Sequence, residues 1–471
     1  MGYFCKKIST KLWIPATIRT GMGQRLAFFV AAAALSSVSV RAEEQGDANP
    51  PELSYSDASA SPGSAAMPPP ADPEGISGNL AAVNIVAGTG QLGSALGLDP
   101  DSGVRVGGVW VGNANVLLTG GEKPAQSSFN SLLLVDLNLD FAKLANIPGA
   151  QFGAQFLQFN GQPTNEEAGT VTGYNGLQGQ FPLVRSELYQ LWWRQSLFDE
   201  KLVIRIGKSV PTYDFNNVGR PVQTRDQALE IPSVTGLIYT PAFKNTTLIG
   251  AMPGYYNSAY GITTTIAPTE RLYFSYGAYD DSGEHQQTGL SAGPLFNGNY
   301  FYVAEAGYAW VLDSGTLPGG VAVGGWRRTG KLEIPNTEIT ENGADGFYTF
   351  GSQRLWNTGS ADHATGVSGF YQFGVNDSRT LLAHRYFGVG ATGFGLIPHR
   401  PSDTVGIGLA WTWLNPGRGF RSDETILATY YQAKILDNLF VQPVLTFVPN
   451  PGASPSHGAS TALTLQTTIL F

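Results

Sequence analysis

The chain has 471 residues, of which 14% are charged and 11% aromatic, with 59 glycines and a formal net charge of −8 at pH 7. That acidic balance, with a pI near 5.2, excludes a nucleic-acid partner. A mean hydropathy of −0.06 and the lack of any internal apolar run of about 18 residues exclude a bundle of membrane helices, but not membrane strands, whose alternating residues average out in a hydropathy window.

The N-terminus reads as an export signal. Leu26 to Val40 (LAFFVAAAALSSVSV) is an apolar core preceded by Arg19 and Arg25. Val40 and Ala42 supply the small residues of a cleavage site after Ala42. Residues 1–42 are thus expected to be a signal peptide, with Met22 an alternative start. Cys5 falls in this leader and is the chain's single cysteine, so the mature chain has no disulfide, thiol nucleophile or cysteine metal ligand. Residues 43–78, rich in Pro, Ala, Ser and acid, have little to bury and read as a disordered periplasmic tail. Residues 79–102 form a lead-in with a short helical patch from Leu92 to Leu98.

From residue 103 one pattern takes over: segments of about ten residues alternate apolar and polar side chains, as a half-buried strand requires. In chain order they are Val104–Asn113, Phe129–Phe141, Ala150–Asn160, Glu187–Leu197, Leu202–Val210, Gly261–Ala267, Arg271–Tyr279 and Tyr300–Leu312. Then come Gly319–Thr329, Gly346–Trp356, Thr365–Val375, Arg385–Leu396, Asp403–Leu414, Asp423–Leu436, Leu439–Val448 and Ser460–Phe471. That makes sixteen. Their connections alternate in length. Those at 145–149, 197–201, 268–270, 313–318, 398–402 and 437–438 are short; those at 161–186, 280–299, 330–344 and 449–459 are long and polar. Short periplasmic turns opposite long external loops are the mark of an antiparallel transmembrane β-barrel. Residues 211–260 offer two further segments, Ser233–Tyr239 and Thr246–Met252, which would make eighteen strands. Sixteen is preferred, with 211–260 as a long loop, and the sequence leaves open whether it folds into the lumen.

Strand parity assigns faces. Leu133, Val135, Leu137, Leu139 and Phe141 should face lipid, with Asp136, Asn138 and Asp140 in the lumen, because charge on the lipid face costs roughly 2–4 kcal/mol for Arg or Lys at mid-depth. By the same parity Tyr189, Leu191, Trp193, Ile204, Ile206, Leu427, Thr429, Tyr431 and Ile435 face out. Gln190, Trp192, Arg194, Arg205, Glu424, Tyr430, Gln432 and Lys434 face in. Trp192, Trp193, Trp310, Trp356, Trp411 and Trp413 lie near strand ends, as interfacial girdles require, and an inward Trp192 is also suited to stack on a sugar ring. The last strand carries Leu463, Leu465 and Ile469 on one face and ends on the aromatic Phe471.

These segments resemble, in order, the carbohydrate-selective porins of Gram-negative outer membranes (the OprB type). The resemblance runs from about Gly90 to Phe471. Ser131 to Asp140 (SLLLVDLNLD) precedes Ile147 to Gly149 (IPG), and Glu187 to Gln195 (ELYQLWWRQ) precedes Leu202 to Lys208 (LVIRIGK). Asn245 to Pro253 (NTTLIGAMP) leads to Tyr260 to Pro268 (YGITTTIAP) and Gly277 to Asp280 (GAYD). Arg385 to Gly390 (RYFGVG) with Gly395 to Gly408 (GLIPHRPSDTVGIG) is the most specific pair. Tyr431, Gln432 and the run from Val441 to Pro443 complete it before the terminal Phe471. The resemblance implies an outer-membrane location, sixteen strands and passive diffusion of small sugars such as glucose. It also implies assembly through the closing strand by the outer-membrane machinery. There are departures. The family's tryptophan-glycine motif near the start is replaced by Gly88 to Gly93 (GTGQLG), and acidic positions of the family stand as Gln190, Arg194 and Ala428. A different pore lining follows from these.

Weak sugar binding needs planar polar partners, with guanidinium and carboxylate groups for vicinal hydroxyls. The inward candidates are Asp136, Asn138, Gln190, Trp192, Arg194, Arg205, Glu424, Gln432 and Lys434. The plainer alternative for each is a solvated lumen residue far from the narrow point. No catalytic constellation emerges. His285, His363, His384, His399 and His457 fall in connections or at strand ends without metal-ligand spacing. Asp280 with Asp281, and Glu166 with Glu167, read as solvated acids rather than a calcium site. No cofactor or metal is expected. The rival functions are a general or anion-preferring porin and, outside the fold, a secreted lectin-like protein or an outer-membrane enzyme.

Overall fold

The structure is a computed structural model. It describes residues 91–471 except 179–181, 200, 219–236, 238–239, 270, 281–292, 297, 313–316, 336, 359–364 and 416–418. The expected signal peptide and tail, most of Ser233–Tyr239, and His285 and His363 lie outside the described residues.

Sixteen antiparallel strands close into a barrel, each paired to its neighbours in sequence and the first to the last. They are β1 Val104–Thr119, β2 Ser127–Asp140, β3 Ala150–Asn160, β4 Val184–Leu197, β5 Leu202–Ser209, β6 Ala259–Ile266, β7 Leu272–Asp280 and β8 Tyr300–Leu312. The second half comprises β9 Leu317–Glu333, β10 Thr340–Asn357, β11 Gly366–Asn376, β12 Ala383–Phe394, β13 Thr404–Leu414, β14 Asp423–Leu436, β15 Leu439–Val448 and β16 Ser460–Leu470. Closure leaves no unpaired edge, which a chain in hydrocarbon requires. The lead-in carries the short helix Gln91–Ala95. The run Thr246–Met252 is a series of turns, not a strand, so eighteen strands are excluded. The expected loop 330–344 shrinks to 334–339, because β9 and β10 extend past it as a paired hairpin.

Alternation sets the two faces. Ile206, Phe274, Val323, Phe347, Ile407, Ile435, Leu463 and Leu465 are exposed on the outer face, while Gln466 and Thr468 are buried inside. Trp356 and Trp411 are exposed there too, Trp411 stacks on Trp413 at 4.1 Å, and Trp193 packs on Phe141 at 4.9 Å. One assignment fails. Tyr189 is buried inside rather than facing lipid, because the register between β3 and β4 shifts after Gln155 and leaves Tyr189 as the extra residue of a bulge. Its phenol meets Tyr213 of the loop that follows β5.

Two external connections fold inward. Residues 161–178, in the connection between β3 and β4, are largely buried, with Ala168 and Leu177 fully so. In the connection between β5 and β6 the described residues, 210–218, 237 and 240–258, fold into the lumen. Its Phe215, Val218, Leu237, Leu248 and Met252 pack on inward side chains of β7 to β11, among them Tyr279, Phe301, Trp326, Tyr348, Phe350 and Phe370. Part of the inner wall thus serves as a hydrophobic core, and apolar burial holds the loop there.

Candidate functional site

The inner wall is polar on β12 to β16, where Thr392, Thr412, Gln442 and Gln466 point inward, and on β1 to β5, where most of the expected residues gather. The inward residues of β1 to β5 follow three oblique ladder rows. One joins Gly107, Asp136, Gln155 and Gln190. The next joins Arg105, Asn138, Gly153, Trp192 and Gly207. The third joins Asp140, Gln151, Arg194, Arg205 and Thr263. On the external side an apolar cluster sits beside buried polar groups, the Arg185–Glu187 pair among them. Val109, Val111, Leu132, Leu134, Leu157, Phe159 and Tyr189 are sealed there by Leu177 and Val210, with Tyr213 and Tyr256 packed against them. Burial pushes the Tyr213 phenol up to about 12, so the seal carries no charge from it.

Six of the expected residues therefore belong to one wall. Asp136 accepts from Arg105 at 3.3 Å and from the amide of Asn138 at 3.1 Å. Gln190 donates to Gln155 at 2.8 Å. The Trp192 indole lies against Gly153, where a Cβ would fall 2.3 Å from the ring. The Arg205 guanidinium sits 5.9 Å from the centre of that ring and pairs with Asp214 of the long loop. Arg194 is the cross-strand neighbour of Arg205. A guanidinium over an indole is attracted by the ring's quadrupole, so Trp192 serves first as a platform for Arg205.

The β14 candidates lie elsewhere. Gln432 donates to Gln442 at 2.9 Å across β14 and β15, and Lys434 pairs with the exposed Asp437 at the periplasmic turn, 3.1 Å away. Glu424 is fully buried and is a loop anchor rather than a solvated lining group. It accepts the backbone N–H of Val171 at 2.9 Å, of Thr172 at 2.8 Å and of Gly452 at 2.6 Å, and also the Thr172 hydroxyl. The physical reason is that an isolated buried carboxylate is costly until several donors surround it, and Val171 and Thr172 of the β3–β4 loop supply them together with Gly452 of the β15–β16 connection.

Sequence reading missed Arg105, Asp214 and Glu305, and also the buried Arg185–Glu187 pair and Lys208. Arg105 and Glu305 have the inward parity of their strands, so the alternation carried the signal. Asp214 lies in a loop with no periodicity and had none. Among the described residues no cluster of His, Cys, Asp and Glu is arranged to hold a metal ion.

The carbohydrate-selective porin, OprB family, matches residues 131–471. Porin B of Pseudomonas aeruginosa is 21% identical over 395 residues, 73% of this chain and 82% of that protein. The high-pH structure of Pseudomonas putida OprB superposes with a TM-score of 0.69 at 19% identity, covering 79% of this chain and 95% of that one. The low-pH structure gives 0.52 at 17% identity, with 81% and 97% covered. The ladder, the closed barrel and a family match that takes in fifteen of its sixteen strands lead to one conclusion: this chain belongs to the OprB family of carbohydrate-selective porins and is an integral β-barrel of the outer membrane.

Proposed function

We propose that small neutral sugars diffuse passively along the polar wall of β1 to β5, and that this wall does the selecting. The observation that carries the reading is charge balance. Arg105, Arg194 and Arg205 stand beside Asp136, Asp140 and Asp214 on one stretch of wall and loop. Forked donors and paired acceptors suit vicinal hydroxyls. A balanced set gives an ion of either sign little net attraction, while a polyol exchanges water bonds for wall bonds and leaves again. Arg205 is already held by Asp214 and Trp192, so in this reading it presents its remaining N–H groups in a fixed direction. We read the closing strand, β16 with Phe471, as the segment that the outer-membrane assembly machinery takes up.

The test combines Arg194→Ala with Arg205→Ala in one chain. Removing two cations leaves the carboxylates in excess. Reversal potentials should move toward cation preference, and saturable sugar flux in liposome swelling should weaken, with the barrel still heat-modifiable on gels. If ion selectivity and sugar discrimination both stay as in the parent, these arginines are not part of the selecting wall.

A further inference from the structure

We infer that Glu305 is the positioning residue that pins the infolded part of the β5–β6 loop at Asn216 and so sets the size limit of the channel. The inference rests on the channel reading above only where sugars are the probe.

Glu305 projects inward from the middle of β8 and is buried. Its carboxylate accepts three hydrogen bonds. The phenol of Tyr273 on β7 donates at 2.5 Å and that of Tyr348 on β10 at 2.7 Å. The third donor is the backbone N–H of Asn216 in the loop, at 2.8 Å. Asn216 has φ +52°, a left-handed conformation that asparagine tolerates better than most residues. Its side chain ties the knot. It donates to Gln372 on β11 at 3.2 Å and accepts from Asn245, on the returning limb, at 3.4 Å. One carboxylate therefore meets both limbs of the loop through one residue.

The surroundings argue that the acid is there for the loop. Its inward neighbours Phe301, Val303 and Trp326 are apolar and buried, and a further apolar side chain would complete that wall without a desolvation cost. A buried carboxylate is retained only where donors repay it, and no Lys or Arg among the described residues pairs with Glu305. The wall tyrosines supply two donors, and the loop supplies the third. Several other ties of the loop run to its carbonyls, from Ser352, Gln372, Tyr386 and Arg328, and the Thr246 hydroxyl meets that of Thr412. Two residues before Asn216, Asp214 meets Arg205 on β5. This part of the loop is thus stretched between a cation on one wall and an anion on another.

Losing one charge-assisted hydrogen bond lowers the ratio of docked to undocked loop about tenfold to a hundredfold. Glu305→Ala should therefore raise and destabilise the unit conductance in KCl and admit a trisaccharide that the parent excludes. Glu305→Gln keeps an acceptor oxygen and should fall between the two, which keeps the test open if the alanine variant does not insert. Tyr348→Phe removes a wall donor but spares the bond to Asn216, and it should keep the parent's exclusion limit. The inference is overturned if Glu305→Ala, or Glu305→Gln where alanine fails to fold, keeps the parent's conductance and cut-off. It is also overturned if Tyr348→Phe widens the channel as much as either, for then the carboxylate serves the wall alone. A parent that passes no sugar, beside a Glu305→Ala variant of raised KCl conductance, would remove the sugar reading and leave the pin standing.

Discussion

Tyr189 shows how far a single residue can shift an assignment. Parity places it on the lipid face, yet one unpaired residue in the β3–β4 ladder turns it inward among Leu157, Phe159 and Tyr213. Beyond the bulge the alternation resumes, which is why Trp192 and Arg194 are inward as expected. The same parity gives a sharp residue-scale prediction on β2, which has no register shift with β1 or β3. Leu137→Arg should impair insertion, at roughly 2–4 kcal/mol if the site lies near mid-depth. Asn138→Arg should insert normally and change conductance, because Asn138 stands beside Asp136 in the lumen. Yield in the outer-membrane fraction and single-channel recording read the two arms, and the reverse pattern would mean that the faces are exchanged.

At the scale of elements, the turn from β12 to β13, residues 395–403, explains why a short connection carries so specific a sequence. Asp403 is buried at its end, accepting Arg400 at 2.6 Å, the backbone N–H of Lys434 at 3.0 Å and the phenol of Tyr431. Burial alone would raise its pKa, but these donors together hold it below the ordinary carboxylate value. A depressed acid stabilises the fold fully above the unfolded value of about 3.9 and loses that contribution as pH falls through the folded one. Asp403→Asn should therefore lower thermal stability by about 1–2 kcal/mol at neutral pH, and the gap to the parent should close only in strong acid. A thermal-melt series from neutral to strongly acidic pH in detergent checks this; a constant gap would refute it. The contrast with the loops marks what the sequence could reveal. Strands announce themselves through a period of two, and so did Asp136, Asn138, Arg194 and Arg205. Glu424 had the right parity, but its true partners, Val171, Thr172 and Gly452, lie in loops with no period. The infolding of 161–178 depends on contacts between segments some 250 residues apart in sequence, such as Thr172 with Glu424, and no local pattern encodes those.

For the molecule as a whole, stability and orientation meet where the barrel closes. β1 pairs with β16 from Val109 with Leu470 to Thr119 with Thr461, and with β2 on its other side. The last residue extends that seam. Gly108 donates to the Phe471 carbonyl at 2.7 Å, and the Phe471 N–H donates to Gly108 at 2.9 Å. The phenyl ring lies over Gly108, where a Cβ would fall 2.4 Å from it. Glycine at 108 is thus the seat for the terminal aromatic ring, and the pair joins the first strand to the last. Two variants separate recognition of the end from closure of the seam. Deleting Phe471 removes both the ring and its hydrogen bonds, and it should lower the outer-membrane yield and leave protein in the periplasm. Gly108→Val keeps the terminal residue but occupies its seat. It should be delivered to the membrane and then give a barrel that loses its heat-modifiable mobility at a lower temperature than the parent. Cell fractionation with semi-native gels reads both outcomes. Normal insertion of the deletion would show that neither the ring nor its seat is needed, and closure would then rest on the ladder from Leu470 back to Thr461 alone.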